Sequence, residues 1–208
     1  MKSTTKLLIG CLAAIIVLAS CASASKQADR NAKKYTKVSL FPEQQFDSVG
    51  ARQALAYGTG SITGVVFKRV DTKNYGIKTE KVWGKNVKIV LFPVTPYFEE
   101  WYSLRKKKEN NVTTVYMSES AYRFRIEVTS DDYGRFTFEK MKPGKYFLQA
   151  FLNWTVSGSY KQYTGYATDG YNTTNYYEWR NYTQNNSARL EEFVEVKKDG
   201  EIVKVKLN

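Results

Sequence analysis

The sequence predicts an all-β fold: an antiparallel β-sandwich of about seven strands, with a short N-terminal helix and two long insertions. Two observations carry this. From Gly60 onward apolar residues recur with period two rather than 3.6. Short turn signals punctuate those runs, among them Ser130-Asp131-Asp132-Tyr133-Gly134, Lys142-Pro143-Gly144 and Asp199-Gly200.

The chain opens with Lys2 and Lys6 and then thirteen largely apolar residues, Leu7 to Ala19. That run is too short to cross a hydrocarbon core, which takes about 20 residues. A basic start, a short apolar centre and small residues behind it read as a secretory signal peptide over residues 1–20. Leu18-Ala19-Ser20-Cys21 resembles the bacterial lipobox, which implies that Cys21 becomes the first mature residue and carries three acyl chains. Several chains anchor stably, at about 0.8 kcal/mol per buried methylene. Ala22 in place of Asp resembles an outer-membrane sorting signal, so the expected location is the bacterial envelope at the outer membrane. The competing reading of Cys21 is a chance thiol beside an ordinary cleavage site. With Cys11 removed and Cys21 acylated, no thiol remains for a disulfide, a metal or a nucleophile, and stability must rest on packing.

Removal of residues 1–20 leaves 188, enough for one domain with a sizeable core and a tether. The removed piece holds two lysines and no acid, so the net charge falls from +12 to +10. An exported protein rarely meets nucleic acid, and no nucleic-acid partner is expected. Phospholipid headgroups, lipopolysaccharide phosphates and acidic glycans are the anionic neighbours within reach, although scattered lysines also simply confer solubility. Residues 21–45 are small, polar and basic, and read as a lipidated tether; Lys33, Lys34 and Lys37 lie in it.

The domain is expected over 46–208. Asp47 or Ser48 can cap a short helix with Val49, Ala51, Ala54 and Leu55 on its apolar face and Gly58 at its end. Strands follow: Ile62, Gly64 and Val66 share one face, as do Val87, Ile89 and Leu91, while Val90 and Phe92 suggest cover on the other side. Tyr122, Phe124, Ile126 and Val128 alternate with Arg123, Arg125 and Glu127 as a clean strand pattern. Strands over Arg135–Lys140 and Lys145–Leu152 come next, then two around Asp199-Gly200 that read as a hairpin. Two segments break the rhythm. Residues 93–120 start with Thr95-Pro96, which can open a helix pinned to the sandwich by Tyr97, Trp101 and Leu104; residues 153–188 are rich in tyrosine.

The stretch Asp132, Gly134-x-Phe136-x-Phe138, Met141-x-Pro143-Gly144-x-Tyr146-x-Leu148-x-Ala150, with Gly60–Val66 and Val87–Pro93 before it, resembles the carboxypeptidase regulatory-like domain, a transthyretin-like sandwich. The physics of the pattern is readable. Gly134 supplies a turn that a Cβ would crowd, Phe136 and Phe138 point inward, Pro143-Gly144 reverses the chain, and Tyr146, Leu148 and Ala150 continue the core. The family is named for an accessory domain beside a peptidase, and this sequence carries no peptidase domain.

No enzyme, cofactor or metal site is expected. Histidine is absent, which removes the commonest general base and neutral metal ligand. Glycosidase chemistry needs two carboxylates about 5 to 9.5 Å apart across a cleft, whereas Glu99-Glu100 read as a solvated pair. Asp131-Asp132 read as an ordinary turn, with a calcium site as the competing possibility.

Nine of the thirty residues 153–182 are Tyr or Trp: Trp154, Tyr160, Tyr163, Tyr166, Tyr171, Tyr176, Tyr177, Trp179 and Tyr182. Three readings stay open. The rings cover the sandwich from two long, edge-extending strands; they present contact area to an envelope protein partner, since tyrosine offers much area for two torsions; or they stack on sugar C–H faces while neighbouring amides and hydroxyls bond sugar hydroxyls. The expected function is a non-catalytic, lipid-anchored envelope protein that shows aromatic loops to a protein partner, with a glycan-binding module for peptidoglycan, capsule or lipopolysaccharide as the alternative.

Overall fold

The computed structural model describes residues 26–27, 36–72 and 78–208; Cys21, the signal segment and residues 28–35 of the tether lie outside them. In chain order the elements are β1 (Val38–Leu40), α1 (Ser48–Ala54), β2 (Gly60–Thr72), β3 (Lys78–Trp83), β4 (Lys88–Pro93), α2 (Pro96–Lys108), β5 (Thr113–Val115), α3 (Glu119–Arg123), β6 (Ile126–Thr129), β7 (Arg135–Met141), β8 (Gly144–Thr168), β9 (Thr173–Val196) and β10 (Ile202–Leu207). They fall into two compact units.

The first unit runs to Gln45 and includes Tyr97–Ser118. Within the stretch read as a tether, β1 pairs in parallel with β5, Val38↔Thr113 to Leu40↔Val115. The Glu100 carboxylate accepts the amide N–H of Glu43 (3.1 Å) and Gln44 (2.9 Å), which gives that acid a structural task. In α2 the buried side chains are Tyr97, Phe98, Trp101 and Arg105 rather than Leu104. Trp101 Nε1 donates to the Val115 carbonyl, Tyr97 Oη accepts from Ser118 N, and the Arg105 guanidinium lies 4.5 Å over the Trp101 ring.

The second unit, Phe46–Pro96 with Glu119–Asn208, is the sandwich. In its first sheet β2 is central: β10 pairs with it in parallel, Ile202↔Ser61 to Leu207↔Val66. On β2, β7 pairs antiparallel with the first half and β3 with the second. The second sheet is antiparallel, in the order β6-β4-β8-β9. Period-two alternation turns Ile62, Val66, Phe136, Phe138 and Leu207 from one sheet toward Ile89, Leu91, Tyr146, Leu148, Ala150, Leu190 and Val194 from the other, and all are buried. Phe92 and Phe147 are buried on the outer side of the second sheet, where Phe92 meets Tyr122 and Phe147 meets Phe193 at 4.9 Å.

Asp47 caps α1: its Oδ1 accepts from Val49 N (2.9 Å) and Gly50 N (3.0 Å). Ala51 is buried and Leu55 packs on the core, but Val49 is exposed. Leu55 rather than Gly58 ends the helix; Gly58 N instead donates to Lys140 O.

Two expected strands are corrected. Tyr122 and Arg123 lie in α3, and only Ile126–Thr129 is extended. The arginines bond locally instead of lining a ladder: Arg123 pairs with Glu119 one helical turn back. Arg125 donates to Tyr122 O and lies 4.0 Å over the Tyr122 ring. The second correction concerns the chain end. β9 and β10 are not a hairpin, because β9 stays in the second sheet while β10 crosses to β2 in the first. The Glu201 carboxylate accepts the amides of Lys197 and Lys198, which ties the turn. Val196 and Leu207 are then both buried between the sheets.

Gly134 sits at φ +74° with the Val66 carbonyl oxygen 2.5 Å from where a Cβ would stand. Gly134→Ala is expected to cost at least the 1–3 kcal/mol, roughly, of a non-glycine residue in the left-handed region, read as a lower midpoint of urea unfolding with the slope retained.

Candidate functional site

All nine aromatic residues of the 153–182 segment belong to one structure, the β8–β9 hairpin, whose strands pair from Gly144↔Val196 to Thr168↔Thr173. The last buried side chain along it is Leu152, opposite half-buried Ala188. Beyond Val156 the ribbon continues for about 12 residues per strand, roughly 40 Å at the rise of an extended chain, with its side chains exposed on both faces. The strands are long, as one reading of the sequence had it, but the rings do not cover the sandwich: Tyr166 is 64%, Trp179 63% and Tyr171 97% exposed.

The register sorts the rings. Residues facing the core side follow Leu152: Trp154, Tyr160, Tyr182 and Tyr176. Trp154 is half-buried and packs against the core, so it anchors the arm's base. Tyr182 lies over Gly158, where a Cβ would approach the ring carbons to 2.8 Å, and its centroid is 6.4 Å from Tyr160. Here the glycine leaves room for a ring instead of a turn.

The opposite face carries Trp179, Tyr163 and Tyr177, with the Tyr163 and Tyr177 rings edge-to-face at 5.7 Å and Lys161 Nζ 5.3 Å over Trp179. A bulge between Tyr163 and Gly165 shifts the alternation by one, so that Tyr166 pairs with Asn175 and joins this same face. Next to this platform, toward the body, the face becomes an uncharged polar ladder: Ser159↔Asn181, Ser157↔Thr183, Thr155↔Asn185 and Asn153↔Ser187. Thr155 Oγ1 donates to Asn185 Oδ1 at 3.0 Å, and the Ser157 and Thr183 hydroxyls are 3.3 Å apart. Sequence reasoning picked out the rings but missed the ladder. Folding the segment about Asp169–Asn172 without the bulge would pair Thr155 with Asn186, one position off the observed register, so the ladder was not readable from the turn alone.

Charge on the exposed ribbon is sparse and sums to zero over Lys161, Asp169, Glu178 and Arg180, of which Arg180 Nη2 lies 2.8 Å from Glu178 Oε2. At the tip, Asp169 Oδ1 accepts the amides of Asn172 (2.7 Å) and Tyr171 (2.9 Å). These donors, Asn172 first, hold the Asp169 carboxyl below its ordinary value of 3.8. A carboxylate depressed in the folded state supports the turn fully above its unfolded pKa and loses that support as the pH falls through the lower folded value. The Tyr171 and Asn172 amide resonances are therefore expected to titrate with a midpoint below the ordinary aspartate value.

Three of the four acids considered for chemistry, Glu100, Asp131 and Asp132, are taken up in structural contacts. Asp131 Oδ1 accepts from Tyr133 N and Arg135 N, its Oδ2 pairs with Arg135 Nε at 2.7 Å, and Asp132 pairs with Lys85. The amide of Arg135, followed by its side chain, holds Asp131 below the usual carboxylate range.

The sandwich with this arm can be set beside solved structures. The chain is similar to a proposed carbohydrate-binding protein from Pseudomonas aeruginosa, with a TM-score of 0.51 at 20% identity, over 79% of this chain and 97% of that one. The two chains share a fold. No protein-family model and no curated protein matches the sequence.

Proposed function

We propose that the protein is a non-catalytic, lipid-anchored component of the bacterial envelope, held by acylated Cys21 at the outer membrane, whose β8–β9 arm binds a glycan. One observation carries the reading: Tyr163, Tyr166, Tyr177 and Trp179 share a face with an uncharged ladder of hydroxyls and amides. Ring faces stack on sugar C–H surfaces, and the ladder offers donors and acceptors at the spacing of alternate strand residues, about 7 Å. With a net charge of zero, the arm suits a neutral, polar ligand better than an ionic one. The carbohydrate-binding-like fold and the resemblance to the regulatory-like sandwich around Gly134–Ala150 support this choice over a protein partner.

Retention of the full chain on purified peptidoglycan, capsule and lipopolysaccharide tests it, against a Tyr177→Ala/Trp179→Ala variant. Both rings are exposed, so the variant keeps its fold, whereas Trp154→Ala disturbs the base. The double variant is expected to lose at least about tenfold in affinity, equivalent to ~1.4 kcal/mol. Equal retention of both proteins ends the glycan reading. A photoreactive residue at Tyr171 that then captures one defined protein would put a protein partner in its place.

A further inference from the structure

A second surface, on the outer face of the first sheet, has the opposite chemistry to the arm. Alternation sends Thr63, Val65, Phe67 and Arg69 of β2 outward, and the register fixes their neighbours. Lys204, Thr63 and Thr137 form one row across β10, β2 and β7; Lys206, Val65 and Arg135 form the next. On β3, Trp83 stands beside Phe67 and Lys81 beside Arg69. The short side chains of the central strand between long cations on either side leave an open trough of about 420 Å³.

Among residues 60–70, 80–83, 135–141 and 202–207, five cations, Arg69, Lys81, Arg135, Lys204 and Lys206, thus share this face with one acid, Glu139. Arg135 is already paired with Asp131, and Lys81 lies over the rings of Phe67 and Trp83. Lys204, Lys206 and Arg69 have no ion pair among the described residues. Two large apolar side chains stand exposed among the charges, Trp83 at 46% and Ile202 at 66%. Cations set around an exposed tryptophan and isoleucine match a layered partner, with anionic phosphates outside and hydrocarbon just beneath.

From this juxtaposition we infer that the outer face of β10, β2, β7 and β3 docks on an anionic phospholipid surface. Trp83 and Ile202 enter the interface, and Lys204 and Lys206 meet lipid phosphates. The trough admits a headgroup, to which the Thr63 and Thr137 hydroxyls can donate. The surface is separate from the arm, so the inference does not depend on glycan binding.

The test is co-sedimentation of the mature chain, residues 21–208, carrying Cys21→Ser, so that neither acyl chains nor the signal segment contribute. The vesicles are phosphatidylcholine alone or phosphatidylcholine and phosphatidylglycerol in equal parts. Binding is expected on the mixed vesicles only, and to weaken with added salt. Lys204→Gln/Lys206→Gln lowers partitioning about 25-fold, ~5-fold for each cation. Lys204→Arg/Lys206→Arg retains binding, Trp83→Ser weakens it at unchanged charge, and Tyr177→Ala/Trp179→Ala leaves it unchanged. Equal partitioning onto both vesicle types, or indifference to loss of the two lysines, overturns the inference. So does retention on a soluble polyanionic glycan such as heparin while both vesicle types leave the protein in solution.

Discussion

Replacing Phe138 with alanine lowers the free energy of unfolding by about 3–5 kcal/mol, the cost of removing a large side chain from a packed interior. Phe138 is 1% exposed, stands opposite Ile62 on β2, and meets Phe136 edge-on at 5.9 Å in the middle of the cluster that joins the two sheets. The described residues hold no cysteine, so no disulfide among them takes up the loss, and domains of this size hold only about 5–15 kcal/mol in total. The variant therefore loses a large fraction of its stability. Urea unfolding reads this as a lower midpoint at an unchanged slope. Phe151 is the matched control. It has the same side chain on the outer face, half exposed beneath the Arg189 guanidinium at 5.5 Å, and its alanine variant should lose less than about 1 kcal/mol.

Excising the arm should separate stability from binding. Trp154 and Asn186 are register partners, so an Asn-Gly turn between them closes the hairpin at its base and removes residues 155–185. Everything removed is exposed or half-exposed, and a free two-stranded ribbon contributes little stability of its own. The shortened protein is expected to unfold within about 1 kcal/mol of the full chain. Its retention on envelope polysaccharide should disappear. A shortened chain that aggregates or melts early would show that the arm is part of the fold's support rather than a displayed surface.

The core was largely readable in the sequence because a half-buried strand shows its pattern directly. Ile62 and Val66, Ile89 and Leu91, Phe136 and Phe138, and Tyr146, Leu148 and Ala150 all point inward where alternation placed them. Asp47 and Gly134 were readable for local reasons, a carboxylate ahead of a helix and a turn that excludes a Cβ. What local pattern does not encode is which strand pairs with which. The runs around Asp199-Gly200 are apolar on one face either way, and only the tertiary pairing of β10 with β2 decides between a hairpin and a crossing. Alternation also failed at Tyr122–Phe124, where arginine bonds to Glu119 and to the Tyr122 carbonyl stabilise a helical turn over a ladder.

For the candidate site, composition showed the rings but not their grouping. A one-residue bulge moves Tyr166 to the other face, and without it the platform of four aromatics would be three. The polar ladder was hidden for the same reason: Thr155 and Asn185 lie thirty positions apart and meet only once the register is known. The cationic sheet face was hidden too, since Lys204, Arg135 and Arg69 come from three separate strands.

Amide and indole resonance mapping on the isotope-labelled protein, titrated with soluble fragments of the retained polysaccharide, tests the role of the arm most directly. Glycan binding on that face predicts shifts at the Trp179 indole N–H and the amides of Lys161, Tyr163 and Tyr177, spreading to Thr155 and Asn185, with Ile62 and Leu148 in the sandwich interior unmoved. Saturating glycan that leaves those arm resonances in place, or perturbs only the sandwich, would contradict it.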